Sequence, residues 1–168
     1  IFWSLKTRKA FNISRTTGTL LWSKSSITSL SNSTDAYSVF CGLNTDFTSN
    51  TITNGYGFLY DSSGATTGSS AIGRWQVLTA SSSSRTFTTT SIQIAANTFY
   101  RLTAIMNAAG TQVDFYIDGS LVKSETNTLP TSSTGLGAYC SIVKSAGTSS
   151  RTMQLDKIFI RQKQSLFR

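Results

Sequence analysis

In Val113-Asp114-Phe115-Tyr116-Ile117, large apolar residues recur at every second position until Asp118-Gly119 interrupts them and Leu121-Val122 resumes. A side-chain period of two is the mark of an extended strand with one face toward a core. Val113, Phe115 and Ile117 share that face, and Asp114 and Tyr116 share the other. Asp-Gly is a favoured hairpin turn, because glycine takes positive φ without a Cβ clash. The pattern therefore assigns Asp114 to solvent and Asp118 and Gly119 to a turn or cap, rather than to a catalytic or calcium-binding pair.

The same signal repeats along the chain, and nothing in it resembles a long amphipathic helix. Strand candidates fall at 1–5, 10–14, 19–24, 36–43, 55–60, 74–80, 87–94, 99–106, 113–117, 121–126, 135–141 and 150–160. Tyr37, Val39 and Cys41 share a face, as do Tyr56, Phe58 and Tyr60, and as do Tyr100, Leu102, Ala104 and Met106. Ser81-Ser82-Ser83-Ser84 lies between two such segments and reads as an exposed hairpin loop rather than a linker. In the last segment Met153 and Leu155 are in one phase and Ile158 and Ile160 in the other, which calls for a bulge or for burial on both faces. Short strands with frequent turns predict an all-β antiparallel sandwich in a single domain over residues 1–168, with short assembly segments at 1–15 and 161–168. One face of each strand would meet the second sheet, and hydroxyl-rich residues would cover the other.

Composition agrees. Nearly a third of the 168 residues are Ser or Thr, charged residues are 13%, and proline occurs once. β-Branched Thr tolerates strands, and Ser suits turns. A chain of this size buries about 70% of its unfolded surface, enough for a core without metals or disulfides. The net charge of +8 gathers near the ends, at Lys6, Arg8, Lys9 and Arg15 and at Lys157, Arg161, Lys163 and Arg168. Such a surface is either simply solvated or faces an acidic partner, such as an anionic polysaccharide or a neighbouring subunit. No zinc-finger spacing, Gly-rich RNA loop or helical basic stripe points to specific nucleic-acid binding. No stretch is long and apolar enough for a membrane span, and no signal peptide is evident. A first residue other than Met suggests a processed product or a piece of a longer polypeptide. Cys41 and Cys140 are too few for a disulfide framework; each sits in an alternating or apolar context, which favours buried free thiols over a bridge, although their separation does not forbid pairing.

Several segments carry a resemblance. These are Ala96-Asn97-Thr98-Phe99-Tyr100-Arg101-Leu102, Asn107-Ala108-Ala109-Gly110-Thr111, the hairpin 113–122, Asn127-Thr128-Leu129-Pro130, and residues 142–148 and 151–156. Together they resemble a module recurrent in bacteriophage structural proteins, of the concanavalin-A-like lectin and glucanase (laminin-G-like) jelly-roll group. Gly55-Tyr56-Gly57-Phe58-Leu59-Tyr60-Asp61 and Trp75-Gln76-Val77 resemble its middle strands. The resemblance implies a non-enzymatic virion protein, an exposed tail-fibre or capsid-decoration domain, assembled with other virion proteins as a homo-oligomer such as a trimer. It also implies adhesion to a host-surface glycan. A stand-alone carbohydrate-binding module, or a glucanase-like hydrolase, is the alternative.

Hydrolysis of a glycosidic bond needs two carboxyl groups close together. Glu125 is the chain's one glutamate and has no acidic mate at i+2 or i+4, and a histidine-dependent triad is impossible in a chain with no histidine. No cofactor is expected. Sandwiches of this group sometimes hold structural calcium, but Asp35, Asp46, Asp61 and Asp156 are scattered and form no dense oxygen-ligand loop. Asp156, where the resemblance places a recurrent acidic residue, reads as a hydrogen-bond acceptor at a strand end. A sugar site would use an aromatic plane beside a few convergent polar groups, and the candidates are Tyr56, Tyr60, Trp75, Tyr116 and Tyr139.

Overall fold

The computed structural model describes residues 3–6, 11–12, 19–32, 34–45, 52–61, 73–131 and 135–162. The expected assembly segments at 1–15 and 161–168 lie largely outside these residues, as does Asp46. Twelve strands are formed among them: β1 (Trp3–Lys6), β2 (Phe11–Asn12), β3 (Thr19–Ile27), β4 (Tyr37–Asn44), β5 (Gly55–Asp61), β6 (Arg74–Ser81), β7 (Ser84–Gln93), β8 (Tyr100–Met106), β9 (Val113–Ile117), β10 (Ser120–Glu125), β11 (Gly135–Lys144) and β12 (Met153–Gln162). They build two sheets. One has seven strands in the order β1-β11-β4-β5-β6-β7, with β2 also pairing β11, and the other has five in the order β10-β9-β8-β3-β12. Every pairing is antiparallel. No described helix is long and apolar enough to cross a membrane.

The interior lies between the sheets. The seven-stranded sheet contributes Tyr37, Val39, Cys41, Tyr56, Phe58, Tyr60, Trp75 and Val77, and the five-stranded sheet contributes Ile27, Leu102, Ala104, Met106, Val113, Phe115 and Ile117. Two edge-to-face contacts join the layers: Phe58 with Phe115 at 5.4 Å between ring centroids, and Trp75 with Tyr100 at 5.9 Å. Each such contact stabilises by about 0.5–1.5 kcal/mol beyond the burial of its area. The alternation read from 113–117 is the alternation of burial along β9.

The phase change in β12 is a bulge. Its pairing with β3 shifts register between Leu155 and Lys157, which leaves Asp156 as the extra residue. Ile158 and Ile160 thereby return to the same interior as Met153 and Leu155. The serine loop is tighter than its sequence suggests. Ser82 and Ser83 form the two-residue turn between β6 and β7 with φ of +48° and +71°. A left-handed residue other than glycine costs about 1–2 kcal/mol. Two hydrogen bonds offset this, from the Ser82 amide to Asn54 Oδ1 at 2.8 Å and from the Ser83 amide to the Thr53 carbonyl at 2.9 Å.

The expectation of a hydroxyl-rich outer face holds only in part. The Ser- and Thr-rich β7 at the edge of the seven-stranded sheet is largely exposed or half-buried, whereas β4 and β5 are buried along their whole length. Phe40, Leu59, Leu78, Ala80, Tyr139 and Ile52 make a second apolar cluster on that side. Gly42 and Gly57, directly opposed, give the Phe40 ring room to lie across them; a Cβ on Gly42 would stand 2.5 Å from its Cζ and 2.4 Å from the Tyr56 carbonyl oxygen. The five-stranded sheet keeps its outer face partly open, as alternation predicts. Replacing Phe115 with Ala should lower the unfolding free energy by about 3–5 kcal/mol in urea denaturation, since it removes one half of the Phe58 contact and leaves a cavity.

Candidate functional site

Four of the five aromatic candidates are not at the surface. Tyr56, Tyr60 and Trp75 sit between the sheets with 0–1% exposure, and Tyr139 is buried on the opposite side of the seven-stranded sheet, tilted against Phe40. Tyr60 closes a loop: its hydroxyl oxygen accepts from the Ser31 amide at 2.8 Å. Their alternation marked them as sharing faces, but the middle strands of this sheet are buried on both faces. They therefore offer no plane to a sugar in this conformation.

Tyr116 is different. It lies half-buried on the outer face of the five-stranded sheet, in register with Thr103 on β8 and Leu121 on β10. Leu121 is 56% exposed, as large an opening as any big apolar side chain in the described structure offers. A shallow groove of about 270 Å³ is lined by Tyr116, Arg101, Thr103, Ile105 and Gly119. The hairpin turn fixes its rim. Asp118 and Gly119 have φ of +52° and +88°, Asp118 Oδ1 accepts from the Arg101 amide at 2.8 Å, and the Asp118 amide donates to the Arg101 carbonyl at 2.9 Å. The guanidinium of Arg101 rests over Gly119, whose missing Cβ would stand 2.7 Å from Nη2. Among the described residues Arg101 belongs to none of the four ion pairs, and the Asp118 carboxylate of the same turn is engaged with the Arg101 amide. Further along the same face, Lys24 pairs with the bulge residue Asp156 at 3.2 Å and stands over the Phe99 ring at 5.1 Å. Asp156 is half-exposed there, an ordinary surface partner.

Asp114 on that face is tied down. It accepts from Gln112 Nε2 at 2.7 Å and from Ser124 Oγ at 2.6 Å. Glu125 is not on that face at all. A register shift between Leu121 and Lys123 turns it inward opposite Val113, where it is buried. Burial alone would raise its pKa, but the amides of Asn127 and Thr126, the Lys123 charge and the Asn127 side chain hold the carboxyl below its ordinary value. With Thr88 Oγ1 donating to it at 3.3 Å, Thr79 Oγ1 donating to the Asn127 carbonyl at 2.9 Å, and Thr86 and Thr128 hydroxyls 2.6 Å apart, it joins the β10 end to the edge of the other sheet. The glutamate's use is structural. Its spacing in sequence conceals this because the bulge at Val122 reverses which side faces inward.

A second concavity, about 440 Å³, lies at one end of the sandwich and is lined by Ile142, Lys144 and residues 145–151. Asp35 anchors its wall. Its carboxylate accepts from Lys144 Nζ at 3.0 Å, Arg151 Nη2 at 2.9 Å and the Ser149 amide at 3.1 Å. The Lys144 and Ser149 hydrogen bonds hold its pKa down to about 2 against the upward push of burial. Gly147, at φ +82°, packs against this carboxylate so closely that a Cβ would come within 2.0 Å of Oδ1. Lys144 and Arg151 thus neutralise this carboxylate from two sides. Asp35, Asp61 and Asp156 do not converge, and no group of three His, Cys, Asp or Glu residues that could hold a metal occurs among the described residues.

A family model described as "SO2946-like, C-terminal domain" matches residues 7–156. The chain belongs to that family. No curated protein matches it in sequence. Its fold is nonetheless shared by solved structures of low identity. The carbohydrate recognition domain of Emp46p, in a potassium-bound form, superposes with a TM-score of 0.64 at 10% identity, covering 94% of this chain and 76% of that one. Carbohydrate-binding module CBM66 from Bacillus subtilis gives 0.50 at 15%, covering 86% and 76%. An alginate lyase from Corynebacterium sp. gives 0.54 at 12%, covering 89% of this chain and 61% of the enzyme. This SO2946-like domain is thus an antiparallel sandwich of the concanavalin-A-like jelly-roll type.

The lowered Asp35 pKa carries a sign for stability. A carboxylate near 2 in the folded chain and near 3.9 when unfolded stabilises the fold above about pH 4, and that contribution disappears as pH falls toward 2. Asp35→Asn should therefore lower the melting temperature at pH 7 and make the loss of stability between about pH 4 and 2 shallower than in the wild type. Thermal melts of the two proteins across pH 2–7 read this directly.

Proposed function

We propose that this domain is a non-enzymatic carbohydrate-binding module that reads a glycan on the outer face of its five-stranded sheet. The observation that carries the reading is the meeting of the Tyr116 ring and the Arg101 side chain in one shallow groove. An aromatic ring beside Thr103, with the exposed Leu121 next in register, suits the apolar face of a sugar ring, while Arg101 orients an oxygen substituent. The groove sits on paired strands held by the Asp118 turn, so little ordering cost accompanies binding. Structures of the same fold include a carbohydrate recognition domain and a carbohydrate-binding module, which supports the same class of ligand.

The charge narrows that class. Arg101 favours a glycan bearing carboxylate or sulfate groups, in keeping with the chain's net charge of +8. Among the described residues no close pair of carboxyl groups of the kind glycoside hydrolysis uses lines this groove. Virion assembly, and the trimer it implied, rest on the resemblance between sequences alone.

A second reading has its own observation. Ser38, Asn44, Asp61, Gln76 and Ser141 are polar yet buried on the outer side of the seven-stranded sheet, beside Phe40 and Tyr139. A glycan would meet them only if the cover over Phe40 and Tyr139 opened, since that face is buried here. One experiment separates the two sites. Screened against neutral and uronate- or sulfate-bearing glycans, the wild-type domain should bind an acidic glycan. Tyr116→Ala should weaken it roughly tenfold or more, and Arg101→Gln should reduce both the affinity and its salt dependence. Wild-type binding in both variants, with loss in Gln76→Ala, would move the site to the other sheet. Absence of binding across the whole panel would sink the proposal.

A further inference from the structure

Cys41 on β4 and Cys140 on β11 are direct partners in the antiparallel pairing of these strands. Residues so opposed have Cα atoms about 4.5–5.5 Å apart, within the roughly 4.4–6.8 Å that a disulfide spans. Opposed side chains also project to the same side, and here both enter the interior between the sheets, with exposures of 0% and 4%. Both are free thiols in this structure, in hydrogen-bonding contact with each other, and Met153 Sδ lies 3.8 Å from Cys41 Sγ. Nothing has to move far for the two sulfurs to join.

We infer that Cys41 and Cys140 are a cross-strand dithiol site that closes to a disulfide when the chain folds in the presence of a disulfide oxidant such as oxidised glutathione. The steps balance. The thiolate of one cysteine attacks glutathione disulfide, forming a mixed disulfide and releasing one glutathione. The thiolate of the other attacks the protein sulfur of that mixed disulfide and releases the second glutathione. Two protein thiols lose two electrons and two protons, and one glutathione disulfide becomes two glutathione thiols. The link ties β4 to its neighbour β11 near the middle of the larger sheet, across a loop of about 100 residues, a length at which cross-linking restricts the unfolded chain strongly.

Timing follows from the surroundings. The hydrogen bond with the Cys41 thiol, and then burial, push the Cys140 pKa well up, so thiolate is scarce once the sheets have packed. The oxidant is excluded from the same interior. Closure therefore belongs to the folding chain, before the five-stranded sheet covers the pair. The folded state then seals the bond from reductants.

The test uses the whole chain, unfolded and then refolded at neutral pH either with excess oxidised glutathione or with a reductant. Each sample is denatured, alkylated and weighed. The oxidised sample should take up no alkyl group, weigh about 2 Da less than the unalkylated reduced chain, and yield a peptide pair linked through Cys41 and Cys140. Its melting temperature should exceed that of the reduced sample by roughly 5–15 °C. Cys41→Ala and Cys140→Ala should each refold without that gain and keep one thiol, alkylated or capped by glutathione. Wild-type protein that refolds in the oxidant yet retains two alkylatable thiols, or carries glutathione on both cysteines, would overturn the inference. Because the readout is mass, a failure here leaves the glycan proposal untouched, and the reverse holds too.

Discussion

Exclusion of water between two facing sheets is the interaction on which the rest of this structure depends. The edge-to-face meetings of Phe58 with Phe115 and of Trp75 with Tyr100 bridge the layers, with β-branched and aliphatic residues filling the space around them. Hydrogen bonds within each sheet satisfy the backbone but do not hold one sheet on the other. That comes from apolar area removed from water, and it fixes which face of every strand looks inward. The two bulges act in its service. One, at Asp156, restores Ile158 and Ile160 to the interior, and the other, at Val122, turns Glu125 inward.

Polar contacts finish the sandwich where apolar packing ends. Asp35 gathers Lys144, Arg151 and the Ser149 amide, and so joins the connection before β4 to the connection after β11. Glu125 does comparable work at the β10 edge with the amides of Thr126 and Asn127 and the hydroxyl of Thr88. A buried carboxylate satisfied by several donors stabilises when all its partners are present and becomes costly when one is lost. These acidic groups are therefore scaffolding. Together with Asp61 they are the buried acidic residues of the described structure, three in a chain that has seven.

The outer face of the five-stranded sheet is where such a scaffold can meet another molecule. Tyr116 and Arg101 project from adjacent strands whose positions are set by the core beneath them and by the Asp118-Gly119 turn beside them. Rigid support under a shallow groove suits a ligand that is itself extended and hydroxylated. The seven-stranded sheet contrasts with it, since its second face is filled by Phe40, Leu59, Leu78 and Tyr139.

Sequence alone determined the strands, their inward phase and the hairpin turn, because a side-chain period of two and an Asp-Gly pair are local properties of the chain. Even the bulge in β12 was visible as a break in phase. Of the five aromatics named, Tyr116 alone reaches the surface, yet nothing local distinguished it from Tyr56, Tyr60, Trp75 or Tyr139. Alternation says which residues share a face and is silent on whether that face is covered. Only the tertiary structure decided that the middle strands of the larger sheet are buried on both sides, that Asp35 and Glu125 are satisfied structural anions, and that Cys41 and Cys140 oppose one another. The physical reason is shared by all three: each depends on strands and loops distant in sequence coming together, and pairing order and burial are properties of the assembled sheets.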